Sequence, residues 1–514
     1  MNHRFNKKSS VVLAVLLSAG AAGLLTGCSK NFLNRQPLGQ YTTGNYPYPS
    51  GGGPYDQYVF AAYASLRNDG NGNVAVSDFN FMGATAIRAD DDDKGSTSGD
   101  SPDQVAMDGF PVTPTNGLID GLWTGYYASI ARCNTVLNVV GTDSTGTAQA
   151  VKTLAQAEAR FIRAYDYFML VRLWANVPLV DTVLGSVSQA NIPQSTPAQI
   201  YAFIEKDLQF AAANLPASWP AKYIGRVTTG SANGMLAKVY LTEQKWALAM
   251  AAANTVISSG MYDLSTPYNK IFTEDGENSS ESVFEIQAYA DASNPENLAY
   301  GCGYVNREGV RGAGTFNLGW GFNVPAPGLV AAYETGDPRA DATLLYCPSV
   351  TPTMYGEVFP AEPNPIYNMK GYTNPQVRAL VGDNFGWWMD LRILRYADVV
   401  LMYAEAANET GDATDALAKL EMVRARARAG NNAILPPVTT TDQTQLRLAI
   451  QHERRIELAM ENDRFFDCVR WGINQAAESA AGKSGYLDAR DKLLPIPQAE
   501  LDLSKGVLKQ NPMY

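Results

Sequence analysis

The sequence predicts a mainly α-helical protein: a scaffold of tetratricopeptide-like helix pairs carrying an irregular, loop-rich second half. From residue 118 onward apolar residues recur at helical spacing over long stretches, and small alanines alternate with large aromatics where paired helices would touch. Between about residues 260 and 390, Gly, Pro, Asn and aromatics dominate instead, and helical periodicity fades.

The N-terminus reads as an export signal. Arg4, Lys7 and Lys8 form a basic start with no acidic residue before Cys28, and residues 11–25 are an apolar run broken only by Ser18 and small residues. That run is shorter than the roughly 20 residues a spanning helix needs, and suits a secretory signal. It closes on Leu25-Thr26-Gly27-Cys28, which resembles the lipobox of bacterial lipoproteins. The resemblance implies cleavage before Cys28, a diacylglycerol on its sulfur and a further acyl chain, such as palmitate, on the new amino terminus. Each buried CH₂ contributes about 0.8 kcal/mol, so two or more chains anchor stably. Residues 28–56 read as a tether, because Tyr46-Pro47-Tyr48-Pro49-Ser50-Gly51-Gly52-Gly53-Pro54 cannot form helix or central strand. The expected organisation is a signal peptide over residues 1–27, a lipid-anchored tether over 28–56 and a single domain over 57–514. Within that domain a helical scaffold covers about 57–260 and 391–514, and an irregular ligand-facing region covers about 261–390.

Residues 55–67 read as a helix ending at Asn68-Asp69-Gly70. Residues 122–140 carry Trp123, Tyr126, Ile130 and Leu137 mostly on one face, and residues 151–175 repeat the pattern until Pro178 stops it. Thr196-Pro197 opens the next helix, since Pro fits a first turn and Thr before it caps. Residues 231–241 and 246–258 form a close pair. Residues 391–408 and 414–428 form another, turning at Thr410-Gly411-Asp412, and 441–462 form a further long helix. Ser282-Val283-Phe284-Glu285-Ile286-Gln287 alternates like a strand.

Composition excludes several functions. The formal charge is −11, and loss of residues 1–27 removes three positive charges and no negative ones, leaving −14. Nucleic-acid binding, dominated by Lys and Arg on phosphates, is disfavoured. His3 leaves with the signal, so a Ser-His-Asp or Cys-His site would have to use His452, which sits mid-helix among charges and reads as structural. Zinc catalysis usually takes two or three His, and no cofactor or metal is called for. Asp90-Asp91-Asp92-Asp93 lacks the spacing of a calcium loop and reads as a solvated loop near the ligand face. Cys302 and Cys347 lie in irregular sequence and are the expected pair if a disulfide forms. Cys133 and Cys468 read as small buried residues.

A set of motifs in fixed order resembles the SusD/RagB family, the nutrient-binding surface lipoproteins of Bacteroidetes. After Cys28, Phe32-Leu33 and Pro37 come Trp123, Tyr126, Ile130 and Asn134, then Ala157-Glu158-Ala159-Arg160-Phe161-Ile162-Arg163-Ala164-Tyr165 with Pro178 beyond. Gly225-Arg226-Val227-Thr228, the segment 281–286, Gly336-Asp337-Pro338-Arg339 and Arg395-Tyr396-Ala397-Asp398 follow. Glu453-Arg454-Arg455, Arg464-Phe465-Phe466-Asp467, Arg470-Trp471-Gly472 and Leu494-Pro495-Ile496-Pro497 close the match. The resemblance implies a SusD-like fold with four tetratricopeptide-like helix pairs. It also implies a non-catalytic role: capture of oligo- or polysaccharide at the outer membrane, facing outward, and delivery to a SusC-like TonB-dependent transporter. Pairs such as Glu158 with Arg163 and Glu453 with Arg455 are then structural. Many relatives follow the lipid Cys with acidic residues, whereas Ser29-Lys30-Asn31-Phe32 stands here.

Family motifs do not specify ligand residues, so those are read from chemistry. Sugar rings offer apolar faces to aromatics and a hydroxyl rim to Asn, Asp, Gln and Arg. The candidates are Tyr289, Tyr300, Tyr304, Asn306, Arg307 and Trp320, with Arg311 nearby; Trp387 and Trp388, one of which is expected to be exposed; and Phe79 and Phe81 in an early loop. Two alternatives stay open: peptide capture, as in the RagB branch, and a surface glycosidase with a carboxylate pair, which needs no His.

Overall fold

Local chemistry starts and stops the helices of the body, and small residues let them stack. The computed structural model describes residues 53–67, 76–186, 189–289 and 301–514. Cys28, most of the tether and Tyr300 lie outside them. All elements below belong to the unit Tyr55–Tyr514; shorter turns are given by their residues.

The helical array runs α1 (Asp56–Ala64), α2 (Gly117–Thr142), α3 (Gln149–Trp174), α4 (Pro197–Asn214), α5 (Thr229–Thr242) and α6 (Trp246–Ser258). Thr196 caps α4 in a reciprocal box with Gln199, and Pro197 fills its first turn. Each helix packs on the next in chain order. On α6 the buried face is Ala249, Ala252, Ala253 and Val256, small enough to admit a close neighbour.

After α6 the chain passes through the irregular half, with β1 (Asp92–Gly95) contributed from early in the sequence. This half holds β2 (Ser282–Ile286), α7 (Tyr304–Glu308), β3 (Phe322–Pro325), α8 (Arg339–Thr343), β4 (Leu344–Tyr346) and β5 (Ile366–Asn368). It returns through β6 (Leu391–Arg395) into α9 (Tyr396–Glu409), α10 (Ala413–Arg428), α11 (Gln443–Glu457) and α12 (Arg464–Trp471). Helix α9 lands on α6 and α5 and carries α10 and α11, so the array resumes where it was left. It is buried on nearly every side, from Tyr396 to Asn408. The strands form antiparallel pairs, β1 with β3, β2 with β6, and β4 with β5. Residues 391–395, expected to begin a helix, are therefore extended: pairing with β2 outweighs their helical spacing.

Buried ion pairs join the two halves. Glu453 and Glu457 lie one turn apart on α11. Arg339 from the irregular half donates to both, while Arg424 and Arg426 from α10 donate to Glu453 and Glu457 respectively. Arg395, ending β6, binds Glu281, Glu457 and Glu461. Burial alone would raise the Glu457 carboxyl, but Arg426, Arg395 and Arg339 overcome it and hold it at about 2. The expected structural role of the paired charges thus takes another form, across elements rather than along one helix. Glu158 meets Arg226 and Tyr63, Arg163 meets Asp207, and Arg455 meets Asp91.

Two other expectations are corrected. Asp90, Asp91 and Asp92 are buried rather than solvated, because Arg464 and Arg455 close onto Asp90 and Asp91, and Lys483 donates to the Asp92 carbonyl. Cys302 and Cys347 are free and buried in separate clusters, Cys302 in the main core and Cys347 among Phe359, Tyr367 and Tyr372.

Candidate ligand-binding surface

Helix α7 is a single turn, and its periodicity sorts its residues. Tyr304, Val305 and Glu308 point inward, while Asn306 and Arg307 stay at the surface. The following chain folds back on it. Leu318 and Gly319 donate to the Val310 carbonyl at 2.8 and 3.1 Å, Trp320 to the Asn306 carbonyl at 3.0 Å, and Gly321 to the Gly309 carbonyl at 2.9 Å. Backbone meets backbone here: a Cβ on Gly319 would run into the Asn306 carbonyl and the Gly309 Cα, so the approach needs glycine. Trp320, between Gly319 and Gly321, has no bulky sequence neighbours and is 46% exposed.

Polar and aromatic groups frame the indole. The Arg311 guanidinium lies 5.9 Å from the Trp320 ring centre, held by Ser96 Oγ at 2.7 Å and by the Asp100 carboxylate. Hydrogen bonds from Ser96 and Thr97 keep Asp100 below the usual carboxylate range, so its charge is maintained. On the other side of Asn306, Arg307 Nε donates to Asp78 Oδ1 at 3.2 Å, and its guanidinium lies 5.2 Å from the Phe79 ring. Phe79 is half-buried and meets Phe322 edge-on at 4.8 Å. The Asn306 Oδ1 is buried without a hydrogen-bond partner among the described residues, an unmet acceptor in the residue that carries Trp320's backbone bond.

The sequence candidates divide in two. Phe79, Asn306, Arg307 and Trp320 come together at one surface. Phe81 and Tyr304 instead pack edge-on at 6.3 Å beneath it, both buried, with the Tyr304 hydroxyl donating to Asn462 at 2.8 Å. They support the surface and offer no face to a ligand. Trp387 and Trp388 are also buried, at 1% and 4% exposure, which overturns the expectation that one is exposed. Their backbone turns, with Met389 donating to the Gly386 carbonyl, so the rings meet edge-on at 5.8 Å and both go inside. Asp383 and Glu274 accept from their indole N–H groups. Tyr289 is 66% exposed just beyond β2 and makes no ring contact with the others among the described residues. Ser96 and Asp100 were missed. They stand more than 200 residues before Arg311, and only the turn formed by Thr97 and Asp100 marks the segment locally.

Three of the carboxylates near Trp320 are engaged or buried, while Glu362, against Gly312 beside Arg311, forms no ion pair or hydrogen bond through its side chain among the described residues. Asp78 and Asp100 serve the two arginines. Glu308 is 2% exposed on the inner face of α7, where Asn323 and Asn368 donate to it and burial pushes its carboxyl up to about 8. The Asn323 Oδ1 is itself buried and unpartnered. Turning that amide over would let the neutral acid donate to it.

Comparison with known proteins identifies the family and the fold. Residues 361–514 match the model described as the SusD family, and residues 88–241 match the model described as starch-binding, associating with the outer membrane. A SusD-like protein P2 from Formosa agariphila is 28% identical over 99% of this chain and 100% of its own length. The chain belongs to the SusD/RagB family. Two solved SusD-like structures superpose well. One, a laminarin-binding SusD-like protein, gives a TM-score of 0.73 at 27% identity, covering 91% of this chain and 100% of that one. The other, surface glycan-binding protein A from Bacteroides thetaiotaomicron in complex with laminarihexaose, gives 0.74 at 25%, covering 89% and 98%. The mainly α, SusD-like fold read from the sequence is thereby established. The two stretches matched by the family models lie mostly on the helical array, whereas Asn306, Arg307, Arg311 and Trp320 fall between them.

Proposed function

We propose that this SusD/RagB protein is a non-catalytic glycan-binding lipoprotein whose ligand stacks on Trp320. The exposed indole carries the reading, since it presents a flat apolar face between Asn306 and Arg311. A pyranose ring lies on that face while Asn306, Arg307 and Arg311 meet its hydroxyls. The solved relatives that bind laminarin and laminarihexaose support a neutral glucan as the first ligand to try. Engagement of Asp78 and Asp100 by arginines, and burial of Glu308, take these three carboxylates out of the running as hydrolytic groups and support binding without hydrolysis. Export through residues 1–27, lipidation at Cys28, a tether over 28–56 and an outward-facing outer-membrane location complete the proposal. Delivery to a SusC-like TonB-dependent transporter is the last part of the proposal, supported by the family resemblance alone.

The test uses the mature chain without residues 1–28, run by affinity electrophoresis through a panel of polysaccharides that includes laminarin, beside an assay for new reducing ends. Retardation by at least one glycan with no reducing ends released is the expected result. Release of reducing ends, or free migration through every glycan, contradicts it.

A further inference from the structure

A second cleft, of about 1070 Å³, lies between the irregular half and the C-terminal end of α10 and shares no residue with the Trp320 surface. Strand β4 forms one wall, through Leu344, Leu345 and Tyr346. Its register fixes where its main-chain groups point. Leu345 stands opposite Tyr367, and Cys347 donates to the Pro365 carbonyl at 2.8 Å. Hydrogen-bonded pairs alternate in an antiparallel ladder, so Leu345 and Cys347 face β5, and Leu344 and Tyr346 face away. The Leu344 N–H is taken by the Ala340 carbonyl. The Leu344 C=O and the Tyr346 N–H and C=O have no main-chain partner among the described residues, and the sheet has no third strand. Such an edge is a template for an incoming strand.

The free main-chain edge favours a polypeptide over a sugar; the rest of the lining also carries the rings of Tyr268, Phe272 and Tyr372. It is mainly apolar, with Leu264, Val350 and Met354 among its members, and its only amide and free carboxylate belong to Asn269 and Asp341. Arg426 also lines it, but its guanidinium is spent on Glu281 and Glu457. Asp341 is exposed and forms no ion pair or hydrogen bond through its side chain among the described residues, which leaves the cleft one uncompensated negative charge. We infer that this cleft binds a peptide in extended form, added as a third strand on the free edge of β4, with a basic group of the peptide against Asp341.

A tryptic digest of casein supplies the probe, because every internal peptide in it ends in Lys or Arg. Peptides retained by the mature chain are identified, synthesised with a fluorophore and titrated by anisotropy. Tyr346→Pro removes the outward N–H and leaves the Leu345–Tyr367 pair intact, so binding falls by about tenfold or more. Tyr346→Ala keeps that N–H and costs about threefold or less. Asp341→Asn weakens binding at low salt and has little effect at about 1 M salt, where the Debye length is roughly 3 Å. N-methylation of the peptide backbone at alternate residues repeats the edge test without altering the protein: one alternation abolishes binding and the other spares it. Trp320→Ala leaves peptide binding unchanged, so failure here is separable from failure of the glycan reading. Retention of no peptide, equal loss in the Pro and Ala variants, or indifference to N-methylation overturns the inference.

Discussion

Replacing Trp320 by Ala removes the flat face on which the glycan rests while leaving the fold intact. The indole is 46% exposed, which for a side chain of roughly 250 Å² leaves about 115 Å² open to a ligand. A pyranose stacked on one face covers about half of that. At about 25 cal/mol per Å², the lost contact is worth about 1.5 kcal/mol, with about 3 kcal/mol as the limit of full coverage. Affinity should therefore drop by between about tenfold and about a hundredfold. The Trp320 N–H bonds the Asn306 carbonyl whatever the side chain, and the ring's one cation contact among the described residues is the Arg311 guanidinium 5.9 Å from its centre, so stability should fall by only about 1 kcal/mol. Isothermal titration with the best glycan of the panel, beside chemical denaturation of both proteins, measures the two effects separately. Affinity unchanged within about twofold, with the fold intact, would refute the stacking argument.

Three further predictions concern the body and its anchor. Glu308 is neutral when folded up to a pH of about 8 and ionises near 4.5 when unfolded, so the stability it contributes is fully present below 4.5 and is lost as pH rises to about 8. The loss is on the order of 5 kcal/mol across that window, and Glu308→Gln should flatten it, which denaturation at pH 4 to 9 measures. Glu457→Gln removes the charge shared by Arg339, Arg395 and Arg426 and should destabilise by about 3–5 kcal/mol at pH 7, read from guanidinium midpoints. Because Glu457 is depressed to about 2, the stability it contributes is present above 4.5 and lost as pH falls through 2. Cys28→Ser should abolish labelling by radioactive palmitate and move the protein out of the membrane fraction. Continued labelling would place the lipid elsewhere.

Where signals were local, the sequence was legible. Thr196-Pro197, the Ala-rich faces of α6 and α9 and the strand signal at residues 282–286 each act within a turn or a strand and each formed, although the strand is buried on both faces rather than alternating. The exposure of Trp320 was legible for the same reason, since two flanking glycines deprive it of neighbours to hide among. What failed depended on partners far along the chain. The run Asp90–Asp92 looks solvated until Arg455 and Arg464, more than 360 residues later, close on it. Residues 391–395 carry a helical pattern that β2 overrides from 110 residues away. The parity argument for Trp387 and Trp388 assumed extended backbone, whereas the chain turns there and sends both rings inward.

Hydrogen–deuterium exchange with and without a saturating oligosaccharide tests the central claim most directly. Protection should appear in peptides spanning residues 303–311 and 317–323, with the 78–82 turn following, because α7, the Trp320 loop and Phe79 form the proposed surface. Protection confined to other parts of the molecule, with these peptides unchanged while the ligand is bound, would contradict it.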